Sequence, residues 1–206
     1  MTHLYLIRHG RQLSVDAPDD QWIPEDQDVL TERGHEQARR LGAHFAAKHQ
    51  PDRLYASPIA RARQTAEALS AATGLPILFD DRLREIQLNL PDNLTPNQIM
   101  DAWLATRRQV DRAVFEGGES FIELQRRAAH AINDIVTTNP DRKVAIVTHG
   151  GVIETLFFHF LGLPIERNLQ AFVNIHHTGV FHWRRFTFRE YSGWELLAAN
   201  DTRHLD

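Results

Sequence analysis

The chain has 206 residues, of which 42% are hydrophobic and 24% charged, a composition typical of a globular protein with one or two domains. Its net charge of −4 argues against a nucleic-acid partner, and the absence of cysteine excludes disulfides, a thiol nucleophile and cysteine-ligated zinc. No charged-then-apolar leader is evident, and no apolar stretch is long enough to span a bilayer. We therefore expect a cytoplasmic protein without a membrane partner.

The first predicted element is a short buried strand that ends at a basic pair. Residues Leu4 to Ile7 are apolar, and Arg8, His9 and Gly10 follow directly. Ligands of open α/β sheets bind outside the carboxyl ends of the strands, where Arg8 and His9 would emerge. An imidazole beside a guanidinium can attack or hold a phosphoryl group at such a place. The alternative is a chance Arg-His pair at the end of a strand.

Two helices are predicted next along the chain. The first begins at Thr31, a suitable cap, and runs to about Lys48. The second follows a short apolar run that ends at Ser57, a good N-cap followed by proline, and it ends at Gly74. Arg61 falls in its first turn, where the helix N-terminus and the guanidinium both favour an anion.

The second half of the chain repeats the design of the first strand. Capping boxes at Thr95 and Ser120 open two helices, one of them over residues 95–114. Residues 143–148 then form another apolar run, which ends at His149-Gly150-Gly151 and precedes a helix-like segment. The late runs at residues 179–188 and 194–199 are typical of antiparallel strands.

Alternating strands and helices predict an α/β fold. We expect a three-layer α/β/α sandwich with a mostly parallel central sheet, antiparallel C-terminal strands and a small helical cap insertion. Three strand ends would then bring two histidines and two arginines to one edge of the sheet, namely Arg8, His9, Arg61 and His149. Chance is a poor explanation for this set.

Several short motifs occur in an order that spans nearly the whole chain. They are Leu6-Ile7-Arg8-His9-Gly10, residues 30–38, Ser57-Pro58 with residues 61–66, Leu83-Arg84-Glu85-Ile86, Gly117-Gly118-Glu119-Ser120, residues 148–153 and the tail at residues 200–205. In these motifs the sequence resembles the histidine phosphatase superfamily, the phosphoglycerate mutase-like proteins. The resemblance implies a single domain over residues 1–206, in which loop 12–29 and helix 95–114 form a substrate lid and cap.

The resemblance also implies roles for the residues at the strand ends. His9 would be the nucleophile that forms a phosphohistidine, and Arg8, Arg61 and His149 would clamp the phosphate beside Gly150. The alternative for Arg61 is a surface helix charge. For His149 it is a core histidine satisfied by the backbone.

Glu85 matches the proton donor of the family. If residues 81–85 are extended, Leu83 and Glu85 share one face, and burial on an apolar side would favour the protonated carboxyl. The alternative is an ordinary ion pair with Arg82 or Arg84.

The sequence departs from the family's usual pattern after the first motif. Arg11 and Gln12 stand where Glu or Gln and then Thr or Ser are usual, and the Trp-Asn pair often found later is absent, which leaves Ser14 as the nearest small polar group. Gln87-Leu88-Asn89-Leu90-Pro91 replaces a glycine-rich continuation. Arg11 and Ser14 are thus candidate substrate contacts, although an extra loop arginine is more often solvated.

Specificity is expected to depend on the lid and the cap. Six acidic residues of the loop predict a solvated acidic lid that disfavours polyanionic substrates, namely Asp16, Asp19, Asp20, Glu25, Asp26 and Asp28. On the cap, Trp103 either lines the substrate or packs. No metal is expected, because His-Glu-x-x-His spacing is absent and the adjacent His176 and His177 would point to opposite sides of a strand.

These observations favour a metal-independent phosphomonoester hydrolase without a cofactor, acting on a small phosphorylated metabolite. One alternative is phosphoryl transfer of the phosphoglycerate mutase type. Another is a non-catalytic phosphate-binding or interaction module. The sequence is compatible with a monomer or a homodimer.

Overall fold

A computed structural model of the chain describes residues 1–18, 21, 23–91, 94–165 and 172–206. Asp19 and Asp20 of the predicted acidic lid lie outside these residues. No helix in the described ranges is both long and apolar enough to cross a membrane.

Within the described residues, six strands form one mixed sheet in the order β3-β2-β4-β1-β5-β6. The strands are β1 (Thr2–Arg8), β2 (Arg53–Ala56), β3 (Ile77–Phe79), β4 (Lys143–Thr148), β5 (Val180–Phe188) and β6 (Tyr191–Asp201). The first four are mutually parallel, whereas β5 and β6 run antiparallel at one edge, as predicted. The sequence analysis missed β3, because a three-residue strand is too short to show a pattern.

Helices cover both faces of the sheet. They are α1 (Glu32–His44), continued by a π-helical segment (Phe45–His49), α2 (Ala60–Thr73), α3 (Pro96–Arg108), α4 (Phe121–Thr138) and α5 (Gly150–Phe160). Side chains alternate along β1, so that Tyr5 and Ile7 belong to a core with α1 and α2, whereas Leu4 and Leu6 belong to a core with α4 and α5. The predicted three-layer α/β/α class is confirmed.

The predicted caps are mostly confirmed. Thr31 accepts a hydrogen bond from the N–H of Gly34, and both capping boxes, at Thr95 and Ser120, are formed. The cap assigned to Ser57 is wrong, since α2 begins at Ala60 and the Ser57 hydroxyl serves another partner, described below. The predicted helix 95–114 is also too long, because non-helical backbone at Gln109 ends α3 at Arg108.

The segment that leads to Glu85 is not extended as predicted. Residues Asp81–Leu83 form a 3₁₀ turn, because the carboxylate of Asp80 accepts the N–H of Arg82 (2.9 Å) and caps the turn. The expectation that Leu83 and Glu85 share one face of an extended segment is therefore wrong. The orientation of the Glu85 side chain has another cause.

Candidate active site

Three strand ends meet at one edge of the sheet, and each is followed by a polar side chain. His9 follows β1, and its main-chain N–H donates to the carbonyl of Thr148 at the end of β4 (3.0 Å). Ser57 follows β2, and its N–H donates to the carbonyl of Val147 (2.9 Å). His149 follows β4, and its ring centroid lies 5.1 Å from that of His9. The hydrogen bonds of the sheet thus fix where these side chains begin.

Two hydrogen bonds fix the tautomer of His9. Nδ1 lies 2.8 Å from the carbonyl oxygen of Gly10, which can only accept, so Nδ1 carries the proton. Nε2 lies 3.3 Å from Nε of Arg61, which can only donate, so Nε2 presents its lone pair. His9 is therefore held as a neutral imidazole whose basic nitrogen faces a guanidinium.

Burial and positive charge keep both site histidines neutral. Burial, followed by the charges of Arg61, His149 and Arg8, holds the pKa of His9 well below its ordinary value of 6.5. Burial, followed by Arg61 and Arg8, also holds the pKa of His149 well below 6.5. At neutral pH the site thus combines two fixed cations with two uncharged imidazoles.

Arg61 lies in the first turn of α2 and points into the site. It is 8% exposed, and its Nη1 lies 3.6 Å from Oδ2 of Asp28. Helix α2 is fastened to the turn after β1, because Oγ1 of Thr65 accepts the N–H of Gly10 (3.0 Å). The alternative of a solvated helix charge does not describe Arg61.

Two buried nitrogens of the site have no hydrogen-bond partner among the described residues, Nε of Arg8 and Nδ1 of His149. One other nitrogen of each side chain is paired, since Nη1 of Arg8 donates to the carbonyl of Ile175 (2.6 Å) and Nε2 of His149 lies 2.8 Å from the hydroxyl of Ser57. Gly150 leaves space here, because a Cβ at this position would lie 3.8 Å from Nε of Arg8. Buried polar groups are nearly always paired, so these nitrogens suit a ligand rich in oxygen acceptors.

The carboxyl group of Glu85 is held by the backbone. Its oxygens accept the N–H of Gly151 at the start of α5 (3.0 Å) and the N–H of Ile86 (3.0 Å). The expected alternative, an ion pair with Arg82 or Arg84, is absent from the described residues. Those arginines instead pair with other carboxylates, Asp80 and Asp134 for Arg82 and Glu25 and Asp81 for Arg84. Glu85 therefore stands at a helix N-terminus on the same sheet edge as His149.

Arg11 and Ser14 contact their own loop. Nε of Arg11 donates to the carboxylate of Asp16 (2.9 Å), and the N–H and hydroxyl of Ser14 donate to Asp28 (2.8 and 2.9 Å). Asp28 is itself 6% exposed and reaches Arg61, so the expectation that it is a solvated lid carboxylate is wrong. Arg11 and Ser14 therefore link parts of the loop to one another at this point.

His177 is a further residue of the site that was not predicted from the sequence. It was expected in a strand, but it lies in a turn, and its ring centroid is 5.9 Å from that of His9. Its Nε2 lies 3.0 Å from Oε1 of Gln12, and burial followed by the charges of Arg8 and Arg11 lowers its pKa to about 3. No local pattern distinguishes this histidine, because only the return of the chain after α5 brings it to the site.

The described ranges contain no group of three or more His, Asp or Glu side chains arranged to hold a metal ion.

The Ser57 hydroxyl is the second contact within the site that was not predicted from the sequence. It was interpreted as a helix cap, whereas its main partner is His149 (2.8 Å). The side chains brought together in the described part of the site offer imidazole, guanidinium, hydroxyl and carboxyl groups.

Several known proteins are similar to this chain in sequence or in both sequence and fold. A probable phosphoglycerate mutase of Yersinia pestis, GpmB, is 32% identical over 221 residues, which cover 100% of this chain and 96% of that protein. The structure of a mycobacterial glucosyl-3-phosphoglycerate phosphatase is 30% identical with a TM-score of 0.79, covering 96% of this chain and 98% of that one. YhfR of Bacillus stearothermophilus is 29% identical with a TM-score of 0.83, covering both chains completely (100%).

The family profile described as histidine phosphatase superfamily, branch 1, matches residues 4–202. This range begins in β1 and ends just beyond β6, so it includes every strand end that contributes to the site. The chain belongs to the histidine phosphatase superfamily.

Proposed function

We propose that the protein is a metal-independent phosphomonoester hydrolase that acts through a phosphohistidine on His9. The observation that carries the proposal is the neutral imidazole of His9, with Nδ1 bonded to Gly10 and Nε2 facing Arg61. A nucleophile needs this free lone pair, and a transferring phosphoryl group needs the cation beside it. A module that only binds phosphate requires the cations but not a nucleophile in a fixed tautomer.

The first half of the reaction forms a bond between Nε2 of His9 and phosphorus and breaks the bond to the leaving oxygen. Arg8, Arg61 and His149 bind the non-bridging oxygens, with space provided by Gly150. The carboxyl group of Glu85 donates a proton to the departing oxygen, so that an alcohol leaves.

The second half hydrolyses the phosphohistidine. A water molecule attacks phosphorus, the Nε2–phosphorus bond breaks, and the carboxylate of Glu85 takes a proton from the water. Inorganic phosphate is released, and His9 returns to its starting tautomer. Each group thus ends the cycle in the state in which it began.

Loop 12–29 and helix α3 form the lid and cap of this proposal. The loop contacts the site through Asp28 and Arg61 (3.6 Å), and Arg107 of α3 forms a buried ion pair with Glu154 of α5 (2.5 Å). The guanidinium carbon of Arg107 lies 3.3 Å from the ring centroid of Trp103, which favours packing over substrate lining for this side chain. We propose a small phosphorylated metabolite of the cytoplasm as substrate and a monomer or homodimer as the active form.

The hydrolase is tested by assaying phosphate release from a panel of phosphomonoesters in excess EDTA. We expect turnover in chelator, and acid-labile, base-stable labelling that is lost in His9→Ala but kept in His130→Ala, an exposed histidine of α4. Strict dependence on a divalent ion, or label retained in His9→Ala, would overturn the proposal.

A mutase is the second candidate, because the relative in Yersinia pestis is named a probable phosphoglycerate mutase. The two activities differ in the fate of the phosphoryl group, which a mutase returns to a second hydroxyl and a hydrolase gives to water. Incubation with 3-phosphoglycerate should yield phosphate and glycerate from a hydrolase of broad specificity. The isomeric 2-phosphoglycerate as the main product would favour the mutase.

A further inference from the structure

The stretch of chain that carries Glu85 lies between elements of regular structure. Residues 84–88 belong to no helix or strand, and the preceding 3₁₀ turn ends at Leu83. We define residues 82–87 as the acid segment. Its position must be fixed by individual hydrogen bonds and packing contacts, because it has no continuous main-chain ladder.

One guanidinium binds the acid segment from α4. Nη1 of Arg127 donates to the carbonyls of Arg82 (2.7 Å) and Arg84 (3.0 Å), and Nη2 donates to the carbonyl of Glu85 itself (3.4 Å). Arginine suits this task, because its five N–H donors are fixed in one plane and can serve several acceptors at once.

Glu119 contacts both Arg127 and the end of the acid segment. Its carboxylate accepts two hydrogen bonds from Arg127, one from Nε and one from Nη2 (both 2.7 Å). The main chain of Glu119 donates to the carbonyl of Gln87 (2.6 Å), and its carboxylate accepts the N–H of Gln87 (3.4 Å). The pair therefore binds the acid segment both before and after the Glu85 side chain.

This pair differs from an ordinary surface ion pair. The side chains of Arg127 and Glu119 are 19% and 14% exposed, and their bidentate geometry leaves the remaining guanidinium donors directed at the carbonyls. Glu119 also belongs to the Gly117-Gly118-Glu119-Ser120 motif, for which the proposed function assigns no role.

We propose that Arg127 and Glu119 are positioning residues that set where the Glu85 carboxyl lies relative to the leaving oxygen. Neither side chain is assigned a contact with substrate. They act through the carbonyls of the acid segment, while Gly151 holds the carboxylate at its other end. The inference rests on the proposed function, because it assumes that Glu85 protonates the leaving group.

Arg127→Gln is compared with Arg126→Gln, an exposed neighbour on the same helix, using an alkyl phosphate and a nitrophenyl phosphate. A misplaced proton donor harms poor leaving groups selectively, so we expect Arg127→Gln to lower the pre-steady-state rate of His9 phosphorylation by about tenfold with the alkyl ester and by less than about threefold with the nitrophenyl ester. The inhibition constant of inorganic phosphate should not change, because the phosphate-binding residues are intact. Arg127→Lys should restore part of the loss, since one ammonium cannot serve three carbonyls and a carboxylate.

Glu119→Gln provides a second variant of nearly the same shape in case Arg127→Gln does not fold. It should show the same leaving-group selectivity with a smaller effect, because the amide oxygen can still accept one hydrogen bond from Arg127 while the charge and the second acceptor are lost. Equal losses for both esters, or weakened phosphate inhibition, would identify a general structural role and overturn the inference.

Glu85→Gln separates this inference from the proposed function. If Glu85→Gln is selective for the alkyl ester and the Arg127 and Glu119 variants are not, the positioning role fails alone. If Glu85→Gln harms both esters equally, the acid role fails and the positioning role fails with it. If both hold, Arg127→Gln in the Glu85→Gln background should cause no further loss on the alkyl ester, since the residues act as one unit.

Discussion

His9 and Glu85 belong to one site but are held by different parts of the fold. His9 directly follows β1, and its main chain is bonded to β4 through Thr148 (3.0 Å). Glu85 lies on the acid segment, where the side chain of Arg127 and the N–H of Gly151 hold it. The proposed nucleophile is thus positioned by the sheet, and the proposed acid by a few separate hydrogen bonds from α4 and α5.

This difference separates two kinds of damage. A sheet edge has many parallel hydrogen bonds, so the loss of one side chain leaves the others in place. The acid segment depends on a few contacts, and some of these come from residues that do not themselves contact the substrate. Substitutions among the proposed phosphate-binding residues should therefore slow His9 phosphorylation by every substrate. Substitutions around the acid segment should slow it only for substrates whose leaving oxygen needs a proton.

The largest effect is expected from Arg61→Ala. It removes a buried cation that faces Nε2 of His9, so phosphorylation of His9 should fall by about 10²–10³-fold for both alkyl and nitrophenyl phosphates. Arg61→Lys should recover only part, because an ammonium cannot reproduce the planar fork. The matched control is Arg63→Ala, which removes an exposed arginine of the same helix. Pre-steady-state phosphorylation rates measure the effect, and a loss confined to one ester would contradict the assignment.

Glu85→Gln is expected to show the opposite pattern. It removes the proton donor but keeps the shape of the side chain, so the alkyl ester should lose about 10²-fold in phosphorylation rate. A nitrophenolate leaves without protonation, and its rate should fall much less. Stopped-flow comparison of the two esters tests this, and equal losses would leave Glu85 as a structural residue only.

Gly151→Ala also tests the position of the Glu85 carboxyl group, and it does so without removing a polar side chain. A Cβ at Gly151 would overlap Oε1 of Glu85, the mobile end of a side chain, so the carboxyl must move while α5 is kept. We expect an alkyl-selective loss of about tenfold or less, with no fall in the melting temperature. The nitrophenyl ester serves as the internal control. An unchanged rate with the alkyl ester would show that this position of the carboxyl is not required.

The smallest effect is expected on how the free energy of unfolding depends on pH, and it concerns a histidine of the sheet. Nδ1 of His3 on β1 lies 2.8 Å from Nε2 of His182 on β5, and the His182 ring stacks on Tyr5 with a centroid distance of 4.2 Å. Burial, followed by the charges of His3, His49, Arg184 and Lys143, lowers the pKa of His182 to about 4. A folded-state pKa below the unfolded value means that the unfolded chain binds the proton first. Stability is therefore lost as pH falls from about 6.5 towards about 4.

His182→Gln should remove this loss of folding free energy at low pH, which is about 1 kcal/mol after allowance for solvent exposure. Between pH 7.5 and pH 5, the melting temperature of His182→Gln should then fall less than that of the wild type, and the two decreases should differ by about 2–4 °C. Scanning calorimetry at the two pH values measures the difference, and His130→Gln on the exposed face of α4 is the control. An unchanged slope in His182→Gln would assign the acid sensitivity to other groups.

Much of the sheet side of the molecule could be predicted from the sequence. The runs that became β1 and β4 are apolar and end abruptly at Arg8-His9-Gly10 and His149-Gly150-Gly151, and the caps at Thr31, Thr95 and Ser120 are local signals confirmed in the structure. Because carboxyl ends of parallel strands share one edge, the meeting of His9 and His149 followed from topology. These features are encoded within a few neighbouring residues, and for that reason the sequence determined them.

The acid side was decided by tertiary structure. Asp80 is a local cap that turns residues 81–83 into a 3₁₀ turn, and its effect was overlooked in the sequence. Arg127, 42 residues after Glu85, provides contacts that no local pattern contains. The same holds for His177, which meets Gln12 across 165 residues of sequence, and for Ser57, whose hydroxyl bonds to His149 across 92. Periodicity and capping describe the chain over one or two turns, whereas these contacts exist only after distant segments have packed together.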